Sequence, residues 1–125
     1  MRYEIRPLGH WTDQETADRQ SAATFRAPWT DTLDLLGYET DRLGAAIVVL
    51  QVDVTEGEIR RDGMLRATAR VGHPGIVVSF DSEVGPLRYA TDAFDSWKSN
   101  VRAIALALGA LRAVEGPARG ILAGR

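Results

Sequence analysis

Residues 76–111 read IVVSFDSEVGPLRYATDAFDSWKSNVRAIALALGAL, and the point where this stretch changes period decides the fold class. Ile76, Val78 and Phe80 share one side, a turn runs through Asp81-Ser82-Glu83-Val84-Gly85-Pro86, and Leu87, Tyr89 and Thr91 return on that same side. Alternation on both arms of a glycine-bearing turn predicts a β-hairpin with one apolar face. From Asp92 the period becomes helical: Phe94, Trp97, Val101, Ile104, Leu108 and Leu111 fall 3, 4, 3, 4 and 3 apart, and Gly116-Pro117 is the expected stop. A hairpin with one face to bury, followed by a helix with one apolar stripe, calls for a helix packed on a sheet.

Upstream the same logic extends the sheet. Ala46 to Val54 reads as a strand, with Ile47-Val48-Val49-Leu50 passing into alternation at Val52 and Val54. Leu65, Ala67, Ala69 and Val71 alternate with Arg66, Thr68 and Arg70, the pattern of an edge strand with arginines outside. Arg2 to Leu8 places Tyr3, Ile5 and Pro7 on one side, a short strand. Between these, Thr30 or Asp31 is placed to cap a helix in which Leu33, Leu36, Thr40 and Leu43 recur, with Gly44 at its end. The segment His10 to Trp29 has no clear period; Trp11, Phe25 and Trp29 predict that it packs, as a loop or a lid. The expected fold is α+β: a mainly antiparallel sheet of four to five strands with two main helices on one face, in the order β-α-β-(β)-β-β-α. One domain spans residues 1–116 and a flexible tail spans 117–125.

Composition narrows the chemistry. A 125-residue chain that is 45% hydrophobic is large enough for one core without staples. Apolar runs such as Ala45 to Leu50 are far short of the ~20 residues that span a bilayer, and no secretory h-region follows Met1. A cytoplasmic protein without membrane contact is expected. The absence of cysteine excludes disulfides, thiolate nucleophiles and zinc knuckles, and two histidines leave little for metal binding. The net charge of −2 hides an asymmetry: residues 1–58 hold 11 acids against 5 arginines, and residues 59–125 hold 6 acids against 10 bases. Lys98 is the only lysine, and an acidic isoelectric point argues against bulk nucleic-acid binding.

Individual motifs are weak. His73, Ser79 and Asp81 lie close in sequence, yet Ser79 sits within a strand and no G-x-S-x-G surrounds it. A metal site would have to join His10 or His73 to Asp13 or Glu15 without any H-x-x-x-H spacing. Gly72-His73-Pro74-Gly75 lacks the order of a phosphate loop and reads as a turn. The arginine group Arg60, Arg61, Arg66, Arg70 and Arg88 is more suggestive, with His73 and Tyr89 nearby. On an outer sheet face, forked guanidinium groups hold phosphate or acidic segments; the plainer reading is a solvated face of mutual ion pairs. Arg66, Arg70, His73, Arg88 and Tyr89 are the candidate ligand-binding residues. No catalytic residue, metal ligand or cofactor is assigned.

The block Asp62-Gly63-Met64, Arg66, Arg70, His73 to Phe80 and Gly85 to Asp92, continued by Phe94, Trp97, Asn100, Arg102 to Leu106 and Ala110 to Val114, resembles a family of small actinobacterial and actinophage proteins. Upstream, Phe25, Trp29, Thr32 to Leu36 and Leu43-Gly44-Ala45 extend the resemblance to nearly the whole chain. In longer members, labelled J-domain-like, a J domain follows this segment. Here the pattern departs after Val114, and no His-Pro-Asp is present. The resemblance implies a cytoplasmic accessory domain of phage or mobile-element origin, without catalytic residues to carry over. The functional expectation is a non-enzymatic binding or adaptor domain that recognises a protein partner or itself. The alternative is capture of a phosphorylated small molecule or nucleotide through the arginines.

Overall fold

Four strands lie side by side in chain order: β1 (Arg2–Pro7), β2 (Ile47–Val52), β3 (Ile76–Ser82) and β4 (Gly85–Thr91). The computed structural model describes residues 1–21 and 26–123, with side chains described up to Val114. Two helices, α1 (Trp29–Arg42) and α2 (Trp97–Ala123), pack into the core of this α+β fold. The sheet is mixed: β2, β3 and β4 are antiparallel, whereas β1 runs parallel to β2. The parallel pair follows from the crossover, because α1 carries the chain back along the sheet before β2 begins. The central strands supply Val48, Leu50, Val52, Ile76 and Val78, all at most 1% exposed, and Leu36, Val101, Ile104 and Leu108 from the helices close the core over them.

Leu65 to Val71 does not form the expected edge strand. Only Leu65 makes a bridge, with Ile59. Glu58 competes for the backbone: its carbonyl accepts the Arg66 N–H and its carboxylate accepts the Arg70 N–H at 2.7 Å. The Gly63 carbonyl, in a turn where Gly63 takes φ +85°, accepts the Ile5 N–H on the free side of β1. The loop therefore leans over the edge of the sheet and caps it rather than extending it.

Both helices begin elsewhere than their patterns predict. α1 starts at Trp29 behind Pro28, and it ends as expected before Gly44, at φ +84°. Its buried side holds Thr32, Leu36, Gly37, Glu39 and Thr40, with Leu33 only partly covered. α2 starts at Trp97, because the residues before it are held as a loop by Asn100. Its side chain accepts the Phe94 N–H and donates to the Phe94 and Pro74 carbonyls. At the far end α2 runs through Gly116-Pro117 to Ala123, so the expected stop and the start of the expected tail lie inside the helix. Pro117 offers no N–H to the Ala113 carbonyl, at a turn where the helix is exposed.

On the opposite face of the sheet, where Val77 is buried as well, the chain from Leu8 to Gln20 forms a strap. Leu8 donates to the Val52 carbonyl, Asp13 meets Arg88 of β4, and Gln20 exchanges backbone bonds with Ala93 and Asp95. The segment packs through Trp11, while Phe25 lies outside the described residues. No helix among the described residues is long and apolar enough to cross a membrane.

Candidate functional site

The strap brings Glu15 and Arg19 to the turn at His73, and the loop before α2 brings Asp92. Asp92, 3% exposed, accepts from the Thr16 N–H at 3.0 Å, the Thr16 hydroxyl at 2.5 Å and Arg19 Nη2 at 2.9 Å. His73 Nε2 lies 2.7 Å from Glu15 Oε1, and Trp11 stacks on the imidazole at 5.3 Å. The Gly75 N–H donates to His73 Nδ1, so the proton of the neutral ring sits on Nε2 and goes to Glu15. The Glu15 carboxyl is held below the usual range chiefly by that His73 bond; desolvation opposes it, and Arg19 adds a further lowering. Burial pushes the Asp92 carboxyl up, but Thr16 and Arg19 together outweigh it and leave it lowered.

Glu15, His73 and Asp92 offer donor atoms within 4.8 Å of one another, the spacing of a metal site. Their chemistry points elsewhere. The imidazole nitrogen that faces the carboxylates carries the proton, and the Arg19 guanidinium already lies among all three groups, 3.0 Å from Nε2. The chain supplies its own cation here, and the cluster works as a clasp between strap, turn and α2 loop.

A different concavity opens on the helical face at the β1 edge. The capping loop, β1 and the first turns of α1 and α2 enclose a cleft of about 340 Å³, whose walls include Tyr3, Ile5, Trp29, Leu65, Val71 and Trp97, with Arg66 and Lys98 also on its lining. Trp29 and Trp97 meet edge to face, their centroids 5.0 Å apart. The Lys98 ammonium lies 5.5 Å from the Trp29 ring centre and 5.7 Å from that of Trp97. Arg66 spends its Nε on the Gly57 carbonyl at 2.9 Å. Among the described residues neither cation has a carboxylate partner, whereas Arg6, Arg19, Arg60, Arg88 and Arg112 each do. Burial in this wall raises the Tyr3 phenol, aided by the charge of Asp62 and opposed by its bond to Trp29. A smaller hollow of about 60 Å³ adjoins, shares Trp29 and Lys98, and adds Thr32 and Arg102.

The five residues singled out in the sequence do not meet. Arg66 lines the cleft at the β1 edge. Arg88 lies on the strap side of β4, paired with Asp13 at 3.2 Å, and Tyr89 points the other way to stack on Phe80 at 6.3 Å. His73 belongs to the clasp, and Arg70 is an exposed loop residue whose backbone is tied to Glu58. The clasp residues Thr16, Arg19 and Asp92 carry no local signal, since their partners are over 70 positions apart in sequence. Glu58 was detectable: Thr55-Glu56-Gly57-Glu58 is a T-x-x-E capping box, with the Thr55 N–H bonded to the Glu58 carboxylate at 3.0 Å.

Fold and geometry define the class as an α+β domain with an aromatic, cation-lined cleft among the described residues. Compared with family models, curated proteins and solved structures, the chain finds no match.

Proposed function

We propose that the protein is a non-enzymatic binding domain that acts as a pair of chains joined through α2, in the cytoplasm. The observation that carries this reading is a second apolar face on that helix. Val101, Ile104, Ala105 and Leu108 are buried in the core. At 3.6 residues per turn, Leu106, Ala107, Ala110, Ala113 and Val114 lie on the opposite side, and all five are exposed. From Ala103 to Leu111 the helix has no charged or polar side chain. A helix that is apolar all round normally has neighbours all round.

A second copy is the occupant that suits the face. Antiparallel pairing centred on Ala110 sets Leu106 of one copy level with Val114 of the other and Ala107 level with Ala113, so the surface complements itself. The alanines allow close approach, and two-fold pairs are the commonest assemblies. Light scattering coupled to gel filtration is the test. A dimer is expected, with a melting temperature that rises with protein concentration, and Leu106→Glu should give a folded monomer. A wild-type chain that stays monomeric at the highest soluble concentration overturns the reading.

A further inference from the structure

The geometry points to the cleft of Tyr3, Trp29, Trp97, Lys98 and Arg66 as a binding site for an aromatic phosphomonoester of nucleoside-monophosphate size. This reading stands apart from the pairing of α2, since it rests on the other end of that helix. Its first support is charge. Elsewhere in the chain, close cation–carboxylate pairs recur, while Lys98 and Arg66 have only indole faces and one backbone carbonyl for company among the described residues. Two cations without acids on one lining call for a ligand carrying about two negative charges, and a phosphomonoester brings −1.5 to −2 at neutral pH with three acceptor oxygens. Arg66 keeps its two terminal nitrogens for a forked contact, because Nε alone is committed to Gly57.

Shape is the second support. The cleft, at about 340 Å³, falls at the small end of ligand pockets, which run from roughly 300 to 1,000 Å³. Three aromatic side chains and Ile5 offer it flat apolar walls. A planar base packs on such walls as bases do on aromatic platforms. A phosphate alone leaves those walls wet, and a nucleoside alone leaves the cations unmet; the two halves of the ligand answer the two halves of the site.

Tryptophan fluorescence and calorimetry with the four nucleoside monophosphates, their nucleosides, ribose 5-phosphate and inorganic phosphate read this directly. At least one nucleoside monophosphate should quench fluorescence and bind with one site per chain, about tenfold or more tighter than its nucleoside or the bare phosphates. Lys98→Ala with Arg66→Ala should abolish binding while the melting temperature of the free protein holds, both residues being exposed. Arg88→Ala, on the other face, should change nothing. Repeating the titration on Leu106→Glu separates this site from the pairing of chains: binding should persist there. No binding by any monophosphate, affinity equal for inorganic phosphate, or affinity unaltered in the double variant each overturns the assignment.

Discussion

Asn100 has no exposure, and its one amide ends three backbone vacancies: the Phe94 N–H, the Phe94 carbonyl and the Pro74 carbonyl. Asn100→Ala removes these three bonds from a fully buried position, so a loss of about 3 kcal/mol is expected in urea unfolding. Asp92 makes a comparable case with a pH dependence. Its carboxyl is lower in the folded chain than the ordinary value of 3.8, so its stabilisation is fully present above that value and is lost as pH falls through it toward the folded one. Asp92→Asn should cost about 2 kcal/mol at pH 7. Unfolding measured from pH 7 down to pH 2 should show wild type and variant converging in acid; a constant gap would count against the clasp. Neither role was legible locally. Asp92 followed by a helical period reads as an N-cap, and only the strap, which arrives from 76 positions away, claims its oxygens first.

At the scale of elements, the hairpin and the core stripe of α2 were plain in sequence because period alone fixes them. The buried side of α1 was not. Leu36 and Thr40 of the expected stripe are buried, Thr40 with its hydroxyl on the Leu36 carbonyl, but Leu33 is only partly covered and Glu39, 3% exposed and paired with Arg112 of α2 at 2.8 and 3.2 Å, joins the buried side instead. Gly109 makes room for this pair, since a Cβ there would stand 3.0 Å from Glu39 Oε2. Arg112→Ala strands a buried carboxylate and should lower the melting temperature; adding Glu39→Gln in the same chain should recover part of the loss. Thermal denaturation that finds the double variant no better than the single one would contradict an electrostatic clamp. The expected strand at Leu65 to Val71 failed for a physical reason as well: alternation predicts a strand only where the backbone is free to pair, and Glu58 takes two of its N–H groups.

For the whole molecule, one class of statement was readable and another was not. Layering, helix number and the order of elements follow from hydrophobic period, which is local. The parallel placement of β1 and the gathering of Tyr3, Trp29, Arg66 and Lys98 into one cleft depend on which edge the chain returns to, and no local pattern records it. The charge asymmetry between the two halves largely resolves by folding, through Arg88 with Asp13, Arg19 with Asp92 and Arg112 with Glu39. What folding leaves over includes an apolar side on α2 and, among several cations without carboxylate partners, the two that share the cleft. The corresponding variants should therefore behave independently, Leu106→Glu altering mass without altering ligand affinity, and Lys98→Ala with Arg66→Ala doing the reverse.

The position of α2 has a consequence for biosynthesis. Every clasp described above closes on the last third of the chain: Asp92 receives the strap, Asn100 pins the loop, Arg112 neutralises Glu39, and Val101, Ile104 and Leu108 roof the sheet. A nascent chain that has left the ribosome only as far as Thr91 carries all four strands, yet Leu50, Ile76 and Val78 still lack that roof. β1 and α1, translated first, can meet β2 and the Gly63 turn beforehand, but the apolar side they share with the sheet stays uncovered until α2 arrives.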